Sequence, residues 1–519
     1  MDASSLFYNT KNFADDKLTS PLIHSKKMKT YKFILAVYAV LFAGAIAAYY
    51  SILNNTYIGD DYSLTGKTEL ASFPDFRPLF TINKVSMRPL AFLVLWLQDR
   101  IFGIEALVPS HLLTVGIHAA VACLLFSLLL GMKAHRITAL LVAVLFLLTP
   151  VAPEAVTWSV VRFDAMVIFF MLLTLLLYIN YLKRRDSRIY IGALFASTAA
   201  IFSKESAILL LVLIPALDLL FKDSLTSAGA VPNETGLISS IKGTARRLFP
   251  FLVPITIFFN IRYFTIGKVF GSYPNVPTIG APNLQATMHS FATLLSPLNN
   301  AIFGARAIQT SAMISLSLLV TSLFVVVIRW GRCRGTARRI WLFFVFFFLV
   351  SIAPVFSAFF MMGLNHSLEE SRYLYIPMMS LTAVTVIGLL EFGWDRPVWR
   401  VPVIAALAIC VPLSFYCLNE NNKAWERAAL ISYDIPRQTQ NILPDPPSGS
   451  RLYFAGVPEW SGAYIYVNGL NYAVQWQYGR SDFSVTKLKP GIEIPSSGDN
   501  IFLFTYDEES GHLSFTKLR

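Results

Sequence analysis

The chain is 519 residues long, 55% hydrophobic and only 14% charged, with a mean hydropathy of +0.55. A soluble domain carries about 25% charged residues, so this composition excludes an ordinary water-soluble enzyme, and 41 Phe, 22 Tyr and 9 Trp exclude a disordered chain. The net charge of +12 points to nucleic acid only until the charges are located, because Lys and Arg of a membrane protein collect in its cytoplasmic loops. Cys123, Cys333, Cys410 and Cys417 have no metal-like spacing, and Cys123 and Cys410 lie in apolar runs where they read as small hydrophobes.

Taken in chain order, apolar runs near membrane-spanning length fall at 31–53, 109–131, 137–149, 164–182, 189–202, 206–221, 248–265, 312–329, 340–361, 372–391 and 401–418, giving eleven expected spans. The first is too long, with flanks too polar, for a cleaved signal peptide. A further apolar piece, 89–103, contains Gln98, Asp99 and Arg100. Charges at the bilayer centre cost about 2.5–3.5 kcal/mol each, so 89–103 is expected to lie along the membrane surface.

Sidedness follows from that exclusion. With eleven spans, the pieces 1–32, 132–136, 183–188, 222–247, 329–339 and 391–400 share one side and hold more than twice the Lys and Arg of the opposite loops. That side is expected to be cytoplasmic, with the N-terminus there and everything after 418 outside. The charge is then explained by orientation, without nucleic acid. The basic loops 183–188 and 329–339 read as topology determinants that can also meet phospholipid.

Residues 419–440 have a helical pattern, 441–450 (NILPDPPSGS) is rich in turn formers, and alternating runs follow at 451–456, 463–468, 471–478, 500–506 and 512–517. The expected organisation is a cytoplasmic segment 1–30, a membrane domain 31–418 with an outer loop 54–108, and a small β-rich domain 419–519. Tyr472, Val474, Trp476 and Tyr478 would share one strand face, either as a platform for sugar or peptide or as the inner side of a small sheet.

Charged residues gather on the expected outer face in five places, while the helix cores hold almost none. The first is Asp60-Asp61, where one of two crowded carboxylates can serve as a general base. Arg77 and Arg88, each before a proline and so held extended, form the second, suited to a lipid-linked phosphate or to snorkelling. Glu154 with Arg162 and Asp164 is the third, Lys204-Glu205 the fourth, and Glu369-Glu370-Ser371-Arg372 the fifth. Cations beside carboxylates at the depth of lipid phosphates suit phosphate binding with base catalysis. A transporter would instead carry ionisable groups near mid-membrane. Asp218 and Arg262 come nearest to that, and both lie toward helix ends. His111 and His118 lie two turns apart on one helix face without a matched third metal ligand. His111 is near the outer end, and His118 reads as a core histidine.

In this order the clusters resemble the polytopic GT-C glycosyltransferases, and among them the transmembrane O-mannosyltransferases that glycosylate cadherins and the protein O-mannosyltransferases. The matching pieces are Asp60-Asp61, Arg88-Pro89-Leu90, His111 and His118, Pro150 with Glu154-Ala155-Val156, Arg162-Phe163-Asp164-Ala165, Ser203-Lys204-Glu205, and Glu370-Ser371-Arg372-Tyr373-Leu374-Tyr375-Ile376-Pro377. Thr149-Pro150 replaces the His-Pro of the cadherin-directed enzymes, and the β-rich tail replaces their tetratricopeptide repeats, as in prokaryotic members.

The resemblance implies an α-helical polytopic membrane protein of the GT-C type. It implies a sugar donor on a polyprenyl phosphate, transfer at the outer face of a cell inner membrane (an endoplasmic reticulum membrane in a eukaryote), and a protein, lipid or glycan acceptor. By position, Asp60 is the general base with Asp61 as runner-up. Arg88, Arg162, Lys204 and Arg372 meet the donor phosphate, and His111, Glu154, Asp164 and Glu205 line the donor site. A divalent metal is left open. The competing readings are a flippase or transporter of lipid-linked sugars, and a membrane scaffold.

Overall fold

Inside a bilayer a backbone can satisfy its own hydrogen bonds only as helix or closed barrel, and the long apolar runs of this chain form helices. The computed structural model describes residues 21–68, 75–81, 86–103, 105–225, 237–269, 280–489, 494 and 500–518, with side chains except at 21–31, 66–68, 222–225 and 237–241. The expected cytoplasmic stretches 1–20 and 226–236 lie outside the described residues.

The helices are α1 (Pro21–Ala48), α2 (Asp60–Thr68), α3 (Pro78–Thr81), α4 (Pro89–Phe102), α5 (Leu107–Gly131), α6 (Arg136–Leu147), α7 (Pro153–Thr157), α8 (Phe163–Arg184), α9 (Ser187–Ser203), α10 (Leu210–Leu225), α11 (Leu237–Ile266), α12 (Leu284–Leu295), α13 (Ala305–Arg329), α14 (Gly335–Ser351), α15 (Tyr375–Glu391), α16 (Pro397–Ile442) and α17 (Leu470–Tyr478). The strands are β1 (Arg451–Ala455), β2 (Ser484–Lys487), β3 (Ile501–Asp507) and β4 (His512–Lys517). Among the described residues, seven helical stretches are long and apolar enough to cross a membrane, within 107–131, 159–184, 242–266, 305–329, 335–355, 371–391 and 397–442. Of the other four expected spans, α6, α9 and α10 are shorter helices, and α1 falls short only in the part with described side chains, Lys32–Ala48. The chain is a multi-pass membrane protein.

The excluded piece 89–103 forms α4, started by Pro89 and stopped at Gly103, whose φ is +86°. Around the buried α8 and α15, helices pack in the series α9, α8, α5, α6, α15, α13. The span expected at 340–361 is interrupted: α14 ends at Ser351, and Pro354 leads into a 3-10 turn and a π-helical turn at Ser357–Met362.

α16 runs 46 residues without a break, about 70 Å at 1.5 Å per residue. That is more than twice the hydrocarbon thickness of about 30 Å, so the boundary expected at 418 falls inside one continuous helix. Beyond it lies a four-stranded sheet in the order β2-β1-β3-β4, parallel except for β3 with β4. Two expected strands are absent. Residues 471–478 lie in α17, bracketed by Gly469 and Gly479 at positive φ, a capping that helix ends favour. Residues 463–468 make a single bridge, Trp460 to Tyr464. The shared strand face for Tyr472, Val474, Trp476 and Tyr478 therefore does not exist.

Candidate active site

Segment 154–164 is the spine of the site, because successive residues reach different helices. Glu154, fully buried in α7, accepts from Ser371 Oγ and the Arg372 backbone N–H, each at 3.1 Å, and pairs with the Arg372 guanidinium. The turn that delivers Arg372 holds Leu368 and Glu370 in the left-handed region. The guanidinium carbon of Arg372 lies 5.1 Å from the Tyr373 ring, 5.7 Å from Trp158 and 5.9 Å from Tyr464, within cation–π range of all three. Glu370 stands 3.8 Å from the same guanidinium.

Lys204 sits where α9 gives way to extended backbone, and it pairs with Asp164 in the first turn of α8. Its ammonium is 5.4 Å from the Phe163 ring and 5.5 Å from the Tyr373 ring, so Lys204 and Arg372 share Tyr373. The Arg88 guanidinium stacks on Phe163 at 3.6 Å. Burial works to raise the Glu205 pKa, yet the charges of Arg88, Lys204 and Arg262 hold it below its ordinary value. Arg262, from α11, is 1% exposed and belongs to this group. Arg88, Lys204 and Arg372 thus flank the Phe163 and Tyr373 rings, and Arg262 acts on Glu205 beside them. Arg88 Nε, Asp164 Oδ2, Glu205 Oε2 and Ser206 Oγ are buried there with no hydrogen-bond partner among the described residues. Buried polar atoms are normally satisfied, so these four have hydrogen-bonding capacity that the described residues do not use.

The other end of the spine holds the aspartates. Asp61 is 2% exposed and accepts from Ile58 N at 3.1 Å and Val160 N at 2.8 Å. Burial pushes its pKa up to about 7. Asp60, one residue earlier, opens α2 and is only half-buried, which leaves it the more accessible of the two. Arg162 is spent on the scaffold, donating to Gln98 Oε1 at 2.6 Å, Ser110 Oγ at 2.8 Å and the Ser159 carbonyl at 2.7 Å. His111 Nε2 bonds the Asn55 carbonyl at 2.9 Å and so belongs to the aspartate end. Of the expected site residues, Arg88, Glu154, Asp164, Lys204, Glu205 and Arg372 gather at the cation cluster, and Asp60, Asp61, His111 and Arg162 at the aspartate end.

The C-terminal domain is built into both ends. Tyr464 packs on Trp158 beside Arg372, with ring centroids 4.8 Å apart. Trp476 meets Tyr57 and Tyr62 at 6.0 and 5.6 Å. Gly469, at φ +86°, lies so close to the loop before Asp60 that a Cβ there would stand 2.0 Å from the Gly59 carbonyl oxygen.

Sequence reasoning missed Trp158, and gave Arg262, Tyr464 and Ser206 no role at this site. Arg262 is the one with a visible signal, as a charge in an apolar run. His118 is satisfied by Tyr375 Oη at 2.5 Å and the Leu147 carbonyl at 3.0 Å, as a core histidine is. Asp218 is saturated by Tyr178, Thr244 and Arg247. Among the described residues, no three His, Cys, Asp or Glu are grouped as metal ligands.

No protein-family model and no curated protein sequence matches the chain. Among solved structures, ArnT from Cupriavidus metallidurans in the apo state aligns over 93% of this chain and 94% of its own, with a TM-score of 0.50 and 13% identity. The chain has the GT-C fold. The same ArnT bound to undecaprenyl phosphate aligns at TM-score 0.47 and 13% identity, over 89% of this chain and 86% of its own. Arabinofuranosyltransferase AftD from Mycobacteria aligns at 0.48 and 10%, over 92% of this chain and 35% of its own. Within the GT-C fold, the spine 154–164 and the turn 365–374 are the pieces that carry charge to one place.

Proposed function

We propose that the protein is a glycosyltransferase that moves a sugar from a polyprenyl-phosphate carrier to an acceptor hydroxyl. The observation that carries this reading is the cluster of Arg88, Lys204, Arg262 and Arg372, with four unsatisfied buried polar atoms beside it. Asp60 accepts the proton of the acceptor hydroxyl, whose oxygen attacks the anomeric carbon. The bond from that carbon to the phosphate oxygen breaks, and the carrier phosphate leaves with its added charge. Fixed cations stabilise that charge most as it develops. Asp164, Glu205 and Ser206 have spare capacity for sugar hydroxyls. Asp61 and Arg162 position the aspartate loop, and Glu154 holds Arg372 in its aromatic cage.

The fold shared with ArnT is consistent with this reading, and ArnT has been crystallised with undecaprenyl phosphate. The motifs resemble those of O-mannosyltransferases, which makes a hexosyl donor, mannosyl first, the one to test. The Lys and Arg asymmetry supports a cytoplasmic N-terminus, with the site and residues 419–519 outside. The deciding experiment pairs two variants. Asp60→Asn is expected to retain undecaprenyl phosphate binding and lose sugar transfer at least 100-fold, as removal of a general base does. Arg262→Gln is expected to weaken undecaprenyl phosphate binding at least about tenfold, the effect of losing one charged hydrogen bond. Full transfer by Asp60→Asn would remove it as the base, and unchanged binding by Arg262→Gln would remove that cation from the site.

A further inference from the structure

A second feature lies on the far side of the Glu154–Arg372 pair from Arg88, Lys204 and Arg262. It is a cavity of about 480 Å³ walled by α6, α13, α15 and α16. Its lining is largely apolar, and among the described residues lining it Arg306, in the first turn of α13, is the one charged side chain. Along α13 it runs from Arg306 to Leu319, about 20 Å at 1.5 Å per residue. Half a hydrocarbon core is about 15 Å, so the groove has the depth of one leaflet, and it carries its cation at the end nearer the site. Ile314 and Leu413 line it and are 40% and 45% exposed; on a membrane-spanning helix such faces meet hydrocarbon.

The groove shares two chain segments with the site. Thr149 and Met378 line it, five residues before Glu154 and six after Arg372. Arg88, Lys204 and Arg262 do not line it. Arg262 is on α11, which packs on α9 and α10, and α8 and α5 intervene before α6.

We propose that this groove seats a hydrocarbon chain of a second, anionic membrane lipid, which on the glycosyltransferase reading is the acceptor. Arg306 meets its headgroup, and the chain lies between α13, α15 and α16. The full-length protein is placed in phosphatidylcholine nanodiscs containing phosphatidylglycerol with a diazirine on one acyl chain. Crosslinks are expected on 306–319 and 407–417. They should survive saturation with undecaprenyl phosphate and fall at least tenfold in Ser315→Trp and in Thr382→Trp, two independent ways to fill the groove. Undecaprenyl phosphate affinity in both variants should stay within twofold of wild type. Loss of crosslinks on adding undecaprenyl phosphate, or a matching loss of its affinity in the filled variants, gives the groove to the carrier and overturns the proposal. Labelling spread evenly around α13 is ordinary boundary lipid and overturns it too. In membranes charged with radiolabelled hexose, Asp60-dependent label should be extracted into organic solvent and fall tenfold in Ser315→Trp. Recovery of that label in the protein pellet removes the acceptor assignment. A wild-type protein that does not bind undecaprenyl phosphate counts against glycosyl transfer, while the crosslink pattern still decides the groove.

Discussion

Asp61→Asn tests whether the second aspartate is a buried strut. The Asp61 carboxylate accepts from Ile58 and Val160 and is cut off from water, and burial lifts its pKa from 3.8 to about 7. An acid whose pKa rises on folding holds its proton more tightly in the folded state, so its ionisation opposes folding. Its stabilising contribution is complete below about pH 4 and is lost as the pH climbs to about 7. A change of that size corresponds to about 4 kcal/mol. Asparagine cannot ionise, which removes the penalty. It also has one acceptor oxygen in place of two, which strands the Ile58 or Val160 N–H at about 1–3 kcal/mol. The variant should therefore be less stable than wild type by about 1–3 kcal/mol near pH 4 and more stable by about 1–3 kcal/mol near pH 8. Melting temperatures in detergent across that range would show the two curves crossing between about pH 4.5 and about pH 6. A constant gap between them would refute the assignment of a desolvated carboxyl to Asp61.

Gly469→Ala should lower the melting temperature and abolish transfer together, because its Cβ would stand 2.0 Å from the Gly59 carbonyl, one residue before Asp60. A variant with wild-type melting and activity would show that the C-terminal domain does not set the aspartate loop. Arg372→Ala should cost about 3–5 kcal/mol by leaving the Glu154 charge buried and unpaired, and the double variant Arg372→Ala, Glu154→Gln should recover much of that loss in the same melting assay. No recovery would mean that the aromatic cage, and not the ion pair, fixes the turn.

Most of the membrane architecture was legible in the chain. Runs near 18 apolar residues form helices here, and the polar Gln98-Asp99-Arg100 set α4 apart from the candidate spans. Sequence also placed the two aspartates, Arg88, Glu154, Lys204 and Arg372 among the residues to examine, since a charge beside an apolar run needs a reason. The tail was legible only in part: Tyr472 to Tyr478 alternates like a strand, but two left-handed glycines close it into a helix.

Tertiary structure alone set the environments of these residues. Asp60 and Asp61 are neighbours of identical chemistry, and only the backbone N–H of Val160, 99 positions away, makes Asp61 a strut. Arg162 reads like Arg372 along the chain, yet its donors are consumed by α4 and α5. Arg262, Tyr464 and Gly469 join the site across more than fifty residues of chain. Periodicity and hydropathy are local, whereas a charge's partner is set by which helix packs beside it, and no single-residue property records that.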